Sequence, residues 1–205
     1  MLQTTHQQES PQAPQELINQ LITLYQQGQY QQTLEQGNQL LQQYPQTPIL
    51  HNVLGAVYSI LGQPEPSVHH LREALKLQPH YPDPYNNLGA VLNDLGQYQE
   101  AQQLLEQAIH IKPDYAEAYN NLGNVSLNLQ DYQKAREHYA KAIEINPQYA
   151  EAFFSMGQIL NKQGDLKGAH KNYDRALNIN KTHVKAYFSR GIIKHQSRDM
   201  NGAIE

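Results

Sequence analysis

Residues 82–115 read PDPYNNLGAVLNDLGQYQEAQQLLEQAIHIKPDY, and the folding pattern of the whole chain can be read from this stretch. Its first half places Leu88 and Leu92 at the spacing of one helix face. Gly96 then interrupts the pattern at a place suited to end a helix. The apolar spacing resumes after Gly96 and stops at Pro113, because proline cannot continue a helix. The stretch therefore predicts a helix, a tight turn, a second helix and a proline stop.

The same pattern recurs every 34 residues along the chain. A proline column contains Pro45, Pro79, Pro113 and Pro147. A glycine column contains Gly55, Gly89, Gly123, Gly157 and Gly191. A column of small residues contains Thr33, Ser67, Ala101, Ala135, Ala169 and Ala203. Most of the 14 tyrosines recur in the same phase, so we interpret them as packing residues rather than functional ones.

The glycine column indicates that two helices pack closely within each unit. Glycine in a helix interior costs about 1 kcal/mol relative to alanine, so a repeated glycine there needs a packing reason. We expect the small residues of the second helix to supply the matching surface. A bulky side chain at Gly123 or Ala135 should then destabilise the unit by about 1–3 kcal/mol.

The 34-residue helix–turn–helix unit, with its Tyr, Leu-Gly, Tyr, Ala, Ala and Pro pattern, resembles the tetratricopeptide repeat family. The resemblance implies an all-α fold, a right-handed superhelical solenoid of antiparallel helix pairs. It covers residues 14–205, with units at 14–47, 48–81, 82–115, 116–149 and 150–183 and a partial unit at 184–205. The first unit departs most from the pattern, since Leu21 stands in the glycine column.

The two ends of the chain differ from its middle. Residues 1–13 are rich in Gln, Thr and Pro and have no apolar period, which predicts a disordered segment. The partial unit 184–205 barely begins its second helix and leaves apolar residues near an incomplete edge, whereas repeat arrays normally end in a polar cap. Two interpretations stay open: the chain is a fragment of a longer protein, or this edge packs on another chain.

Composition argues against several kinds of partner. The 205 residues include no cysteine, so no disulfide or thiolate site can form. The net charge is −4, and no basic patch stands out that would bind nucleic acid or anionic lipid. The sequence has no signal peptide and no apolar stretch of the roughly 18 residues that a membrane helix needs. We therefore predict a cytoplasmic protein without nucleic-acid or membrane partners.

No catalytic or metal-binding arrangement is predicted. Neighbours on a helix point apart, so His69 and His70 do not form one ligand pair. The sequence has no His-Glu-x2-His stretch, no glycine-rich phosphate loop and no nucleophile elbow. We expect a chain that is not an enzyme and has no catalytic residues, no metal and no cofactor.

The first helix of each unit is where the resemblance implies a ligand. In tetratricopeptide proteins these helices line a concave surface that commonly holds an extended peptide. The first four here contain no Lys or Arg, which argues against the charged carboxylate clamp of the chaperone-binding members. They are instead rich in asparagine, whose amide both donates and accepts hydrogen bonds and can bind a peptide backbone. The predicted peptide-binding residues are Asn52, Asn86, Asn87, Asn120, Asn121, Asn124 and Asn128.

These asparagines resemble the ladder in the repeat region of O-linked N-acetylglucosamine transferases, which binds extended segments. Asn87, Asn121 and Asn124 fit that pattern best, while Val53 and Ser155 interrupt it. The alternative is that asparagine is simply a surface residue in a chain rich in Asn and Gln.

The favoured function is a scaffold that binds a protein or an extended peptide in an asparagine-lined groove. One alternative is the N-terminal repeat region of a larger glycosyltransferase or sulfotransferase, whose repeats these resemble. Another is homotypic assembly into a homo-oligomer through the open C-terminal edge.

Overall fold

A computed structural model of the chain describes residues 12–202, with side chains described as far as residue 195. This part of the chain contains eleven α-helices and no strand, which confirms the all-α fold predicted from the sequence. The helices are α1 (Gln15–Gln26), α2 (Tyr30–Gln43), α3 (Pro48–Ile60), α4 (Pro64–Leu77), α5 (Pro82–Asp94), α6 (Tyr98–Ile111), α7 (Ala116–Asn128), α8 (Tyr132–Ile145), α9 (Ala150–Lys162), α10 (Leu166–Ile179) and α11 (Val184–Gly202).

The helices form two compact units, one running to Val91 and the other starting at Leu92. In the first unit α1 packs on α2, α3 packs on α4, and α2 also contacts α3. In the second unit α7 packs on α8 and α9 on α10, and α10 also contacts α11. Helices that are joined by a short turn are thus the principal packing partners.

The structure describes only part of the two predicted end segments, 1–13 and 184–205. Of the segment 1–13 predicted to be disordered, residues 1–11 lie outside the described residues. Gln12 Nε2 donates to the Gln46 carbonyl (3.0 Å), and the Ala13 N–H donates to the Thr47 hydroxyl (3.2 Å). Residues 203–205 of the predicted partial unit also lie outside the described residues.

A left-handed residue ends the first helix of each pair in the same way. Gly62 has φ of 69°, and its N–H donates to the Ser59 carbonyl at 3.0 Å. The next N–H, that of Gln63, donates to the Tyr58 carbonyl at 2.9 Å, so two carbonyls at the end of α3 are satisfied. Gln130 adopts the same conformation with φ of 63°, although it is not a glycine. This turn reverses the chain within three residues and brings the second helix back along the first.

The close approach predicted at the glycine column is present at Gly55, Gly123 and Gly157, where a large side chain completes it. It is not present at Gly191, where an added Cβ would have no described neighbour within 4 Å. The Ser67 hydroxyl donates to the Gly55 carbonyl at 2.7 Å, so the small-residue column does meet the glycine. A Cβ added at Gly55 would lie 2.6 Å from Leu71 Cγ. Leu71 follows Ser67 by one helical turn and therefore projects from the same face. The small residue allows the backbones to approach, and the larger residue covers the glycine.

Tyrosines occupy this covering position in the second unit. The ring of Tyr139 lies over Gly123, and the ring of Tyr173 lies over Gly157. Tyr139 is 0% exposed and Tyr173 is 1% exposed, which confirms the packing role predicted for these two residues. Tyr173 also belongs to a core shared by α9, α10 and α11, which includes Phe154 and Ile193.

We predict that Gly123→Ala lowers the free energy of unfolding by about 1–3 kcal/mol, because the added methyl group would overlap the buried ring of Tyr139. Chemical denaturation followed by circular dichroism measures the change. Gly191→Ala is the matched control, since no described neighbour lies within 4 Å of its added Cβ. The control should be neutral or stabilising through its better helix propensity. Equal losses in the two variants would contradict the packing role of the glycine column.

Candidate functional site

The candidate asparagines of the compact unit that runs to Val91 form one chain of hydrogen bonds. Asn86 Nδ2 donates to Asn87 Oδ1 at 3.3 Å, and Asn87 Nδ2 donates to Asn52 Oδ1 at 3.0 Å. Asn52 Nδ2 in turn donates to the Tyr81 hydroxyl at 3.2 Å. Because Asn52 lies on α3 and Asn87 on α5, the chain joins the first helices of two consecutive repeats.

Burial limits what two of these amides can offer to a ligand. Asn52 is 8% exposed and Asn86 is 7% exposed, whereas Asn87 is half-buried. Burial also raises the pKa of Tyr81 to about 12, so its hydroxyl stays protonated at neutral pH. Asn52 and Asn86 therefore act mainly within the protein, because a buried amide must be hydrogen-bonded to offset the loss of water.

Within its described residues, the compact unit that starts at Leu92 contains one hydrogen bond of the same kind, and one buried asparagine whose side-chain oxygen lacks such a bond. Asn128 Nδ2 donates to Asn93 Oδ1 at 2.9 Å, with the same separation of 35 residues as the bond between Asn87 and Asn52. Asn120 is 2% exposed, and among the described residues its Oδ1 has no hydrogen-bond partner. The residue 35 positions after Asn120 is Ser155, whose side chain is shorter than that of asparagine. The ladder thus lacks one amide donor at this step.

Asn124 has a different environment from the other asparagines. It is half-buried on α7, and its Oδ1 accepts a hydrogen bond of 2.8 Å from the Tyr139 hydroxyl. Burial raises the pKa of Tyr139, so this hydroxyl remains a donor. No described residue accepts a hydrogen bond from Asn124 Nδ2. The amide is therefore held by its oxygen, while its two N–H groups remain for another partner.

Asn121 and Asn128 lie on the same helix as Asn124. Asn121 is half-buried, and Asn128 is exposed near the end of α7. No Lys or Arg occurs on α7, so the amides are the principal polar groups there besides Glu117 and Ser126. The helix can thus offer hydrogen bonds to an uncharged ligand but no charge-assisted bond to a carboxylate.

Two other features are absent from the part of the chain that is described. There, no three His, Asp or Glu side chains come together in a way that could hold a metal ion. None of the described helices combines the length and apolar character needed to cross a membrane.

Sequence comparison by columns missed how the asparagines are used. Alignment at a spacing of 34 groups Asn52 with Asn86 and Asn120, but the hydrogen bonds join residues 35 apart. The extra residue reflects the register between successive first helices. A search for asparagine pairs at 35 residues would have found Asn52 with Asn87 and Asn93 with Asn128.

Family models described as tetratricopeptide repeat match residues 50–81, 81–145 and 114–182, which together make up more than half of the chain. The chain belongs to the tetratricopeptide repeat family. Its helix pairs, glycine contacts and left-handed turns are the tetratricopeptide form of an all-α fold. No curated protein matches this tetratricopeptide chain in sequence.

Several solved structures share the fold. The crystal structure of MamA is 26% identical, covers 80% of this chain and 95% of its own, and gives a TM-score of 0.62. TTC0263 from Thermus thermophilus is 21% identical, with coverages of 88% and 98% and a TM-score of 0.78. YrrB, described as a tetratricopeptide protein with an unusual peptide-binding site, is 22% identical, with coverages of 85% and 90% and a TM-score of 0.59.

We predict that Asn52→Leu destabilises the protein whereas Asn120→Leu does not. Asn52→Leu removes the partners of Asn87 Nδ2 and the Tyr81 hydroxyl and should cost about 1–3 kcal/mol. Asn120→Leu removes a buried acceptor that has no partner among the described residues and should be neutral or stabilising. The fifth repeat supports this, because Phe154 occupies the same column there and is buried.

Thermal unfolding of both variants beside the unmodified protein measures the difference. A loss in Asn120→Leu as large as that in Asn52→Leu would mean that the Asn120 amide is satisfied in solution.

Proposed function

We propose that the chain is an interaction scaffold that holds an extended peptide or protein segment along the amide-bearing first helices of its repeats. The observation that carries the proposal is the amide of Asn124, whose oxygen is engaged by buried Tyr139 and whose N–H groups have no described acceptor. An amide held in this way loses little conformational entropy when it donates to a ligand.

The backbone of an extended segment suits this chemistry. A peptide carbonyl accepts N–H donors whatever its side chain, so an amide surface can hold many sequences. Because the first four first-helix stretches lack Lys and Arg, we propose recognition of an uncharged backbone instead of a C-terminal carboxylate. The description of YrrB as having a peptide-binding site is consistent with this use of the fold.

The seven predicted asparagines divide into two roles in this proposal. Asn52, Asn86 and Asn120 are buried and therefore act within the protein rather than on a ligand. The more accessible amides would contact the segment; they are Asn87, Asn121, Asn124 and Asn128. A scaffold of this kind needs no cofactor and no catalytic residue.

Asn124→Asp tests the donor role directly. The aspartate keeps an oxygen for the Tyr139 hydroxyl but removes both N–H donors, so a bound backbone carbonyl would lose its partner. We predict about tenfold weaker binding, from the loss of a hydrogen bond worth roughly 1 kcal/mol and the added charge repulsion. Asn121→Ala should weaken binding in the same direction.

The probe is a 12-residue peptide selected from a random phage-displayed library on the unmodified protein. Isothermal calorimetry measures its affinity, and circular dichroism verifies that each variant is folded. Gln103→Ala, an exposed amide on the second helix of a repeat, is the matched control and should leave the affinity unchanged. Unchanged affinity in Asn124→Asp and Asn121→Ala, or an equal loss in Gln103→Ala, would contradict the proposal.

A second candidate function is homotypic assembly through α11. Val184 is 77% exposed and Phe188 is 71% exposed, whereas Phe154, in the same column as Phe188, is 4% exposed. Exposed Lys185 and Lys194 flank this apolar face. The first repeat carries exposed acidic residues and no Lys or Arg, so charge favours the first repeat of a second copy as the occupant. Such a head-to-tail contact would be heterologous.

Phe188→Asn tests this second candidate, since asparagine occupies the same column in three other repeats. If a second copy packs on α11, the variant should raise the dissociation constant of self-association at least tenfold, because a large apolar contact is lost. Light scattering over a concentration series measures it. A protein that is strictly monomeric at high concentration would contradict assembly through this face.

The tetratricopeptide fold resembles that of non-enzymatic scaffolds. Attachment of these repeats to a glycosyltransferase or sulfotransferase, a cytoplasmic location and the lack of nucleic-acid and membrane partners are predictions from composition and resemblance.

A further inference from the structure

Two histidines face each other between α3 and α4, the two helices of the second repeat. His51 Nδ1 lies 3.0 Å from His70 Nδ1, which is a hydrogen-bond distance. Their ring centroids are 5.2 Å apart. His51 is 9% exposed, and the ring of Tyr58 stacks on His70 with centroids 5.5 Å apart. The contact is therefore a partly buried bond between the two helices of one repeat, with His51 buried and His70 half-buried.

The surrounding acceptors determine which nitrogens carry hydrogen. His51 Nε2 lies 3.2 Å from the Pro45 carbonyl oxygen, which can only accept, so His51 carries its hydrogen on Nε2. In neutral His51 the Nδ1 atom is then an acceptor. His70 must donate from its own Nδ1 to close the contact. The arrangement is complete when both rings are neutral.

Protonation works against this arrangement in two steps. The first proton, on His70 Nε2, leaves the bond from His70 Nδ1 to His51 Nδ1 in place but creates a charge that burial disfavours. A further proton on His51 Nδ1 leaves two N–H groups facing each other at 3.0 Å, where no hydrogen bond can form. The titratable groups that act on the pair are Glu73, which favours the charged form, and His69, which opposes it.

We propose that His51 and His70 form a pH-sensitive latch that holds α3 against α4 while both imidazoles are neutral and releases the pair when they are protonated. This goes beyond the proposed scaffold function and does not depend on it. Because Asn52 also lies on α3, release would disturb the hydrogen-bond chain that reaches Asn87 on the next first helix.

The direction of the pH dependence follows from where each state binds protons. Burial lowers the pKa of His70 to about 4, and burial also lowers the pKa of His51. In the opened chain both imidazoles have the ordinary histidine pKa of about 6.5 and therefore bind protons more readily. The latch is thus fully stabilising above about pH 6.5, and its contribution is lost as the pH falls from about 6.5 towards 4.

Hydrogen–deuterium exchange at pH 7.5 and at pH 5 tests the latch. Both values lie above the ordinary pKa of carboxylates, so histidines dominate the change in protonation between them. After correction for intrinsic exchange rates, the amides of α3 and α4 should lose at least tenfold protection, since each preferentially bound proton shifts the opening equilibrium up to tenfold per pH unit. His70→Asn should remove the part of this dependence that His70 contributes, because its amide N–H can still donate to His51 but does not titrate, so the loss of protection should be smaller than in the unmodified protein. His80→Asn, at an exposed histidine, should behave like the unmodified protein.

The same loss of protection in His70→Asn and in the unmodified protein would overturn the proposal. If His70→Asn does not fold, nitrogen-15 spectra of the imidazoles in the unmodified protein decide the matter. The latch requires His51 protonated on Nε2 and His70 on Nδ1 at pH 7.5, with both rings titrating below the ordinary pKa. A titration of either ring at about 6.5 would overturn it.

Discussion

The contact between a glycine of one helix and a large side chain of the next controls how the second, fourth and fifth repeats are built. Leu71 lies over Gly55, and Tyr139 lies over Gly123. A methyl group at either glycine would meet these side chains, so the distance between the paired helices depends on the absence of a Cβ. The left-handed turn at Gly62 or Gln130 supplies the matching reversal of the chain. Close helix pairs then leave the first helix of each repeat with a face on which amides can line up.

The amides on those first helices serve packing and surface chemistry at the same time. Burying an amide is unfavourable unless it is hydrogen-bonded, and Asn87 and Asn52 satisfy each other across two helices. Asn120 shows what happens when the second amide is replaced by a shorter side chain, since its oxygen is left without a described partner. Asn124 is held instead by a buried tyrosine and keeps its donors. Asparagines therefore have two uses on these helices. Those that bond to each other join neighbouring helices, and one that is held by a tyrosine keeps its N–H donors at the surface.

Much of the fold was predictable because it depends on local periodicity. The apolar spacing, the glycine turns and the proline stops of residues 82–115 act within one or two helical turns, so they appear in the sequence without knowledge of the partners. The candidate site was less predictable. Asn86 and Asn87 are adjacent and chemically identical, yet one is buried and the other is half-buried, because a helix turns by about 100° per residue. The packing of the next helix then decides which amide is covered.

The sequence by itself determined the repeat length, the all-α class and the repeated positions at which small residues and proline occur. It determined them because 34-residue columns of Gly, small residues and Pro specify the same local structure each time. Only the tertiary structure decided that the asparagines pair at a separation of 35 residues, that Tyr139 holds Asn124, and that His51 meets His70. These contacts join different helices, and their geometry follows from the register and rotation between helices, which no single segment specifies.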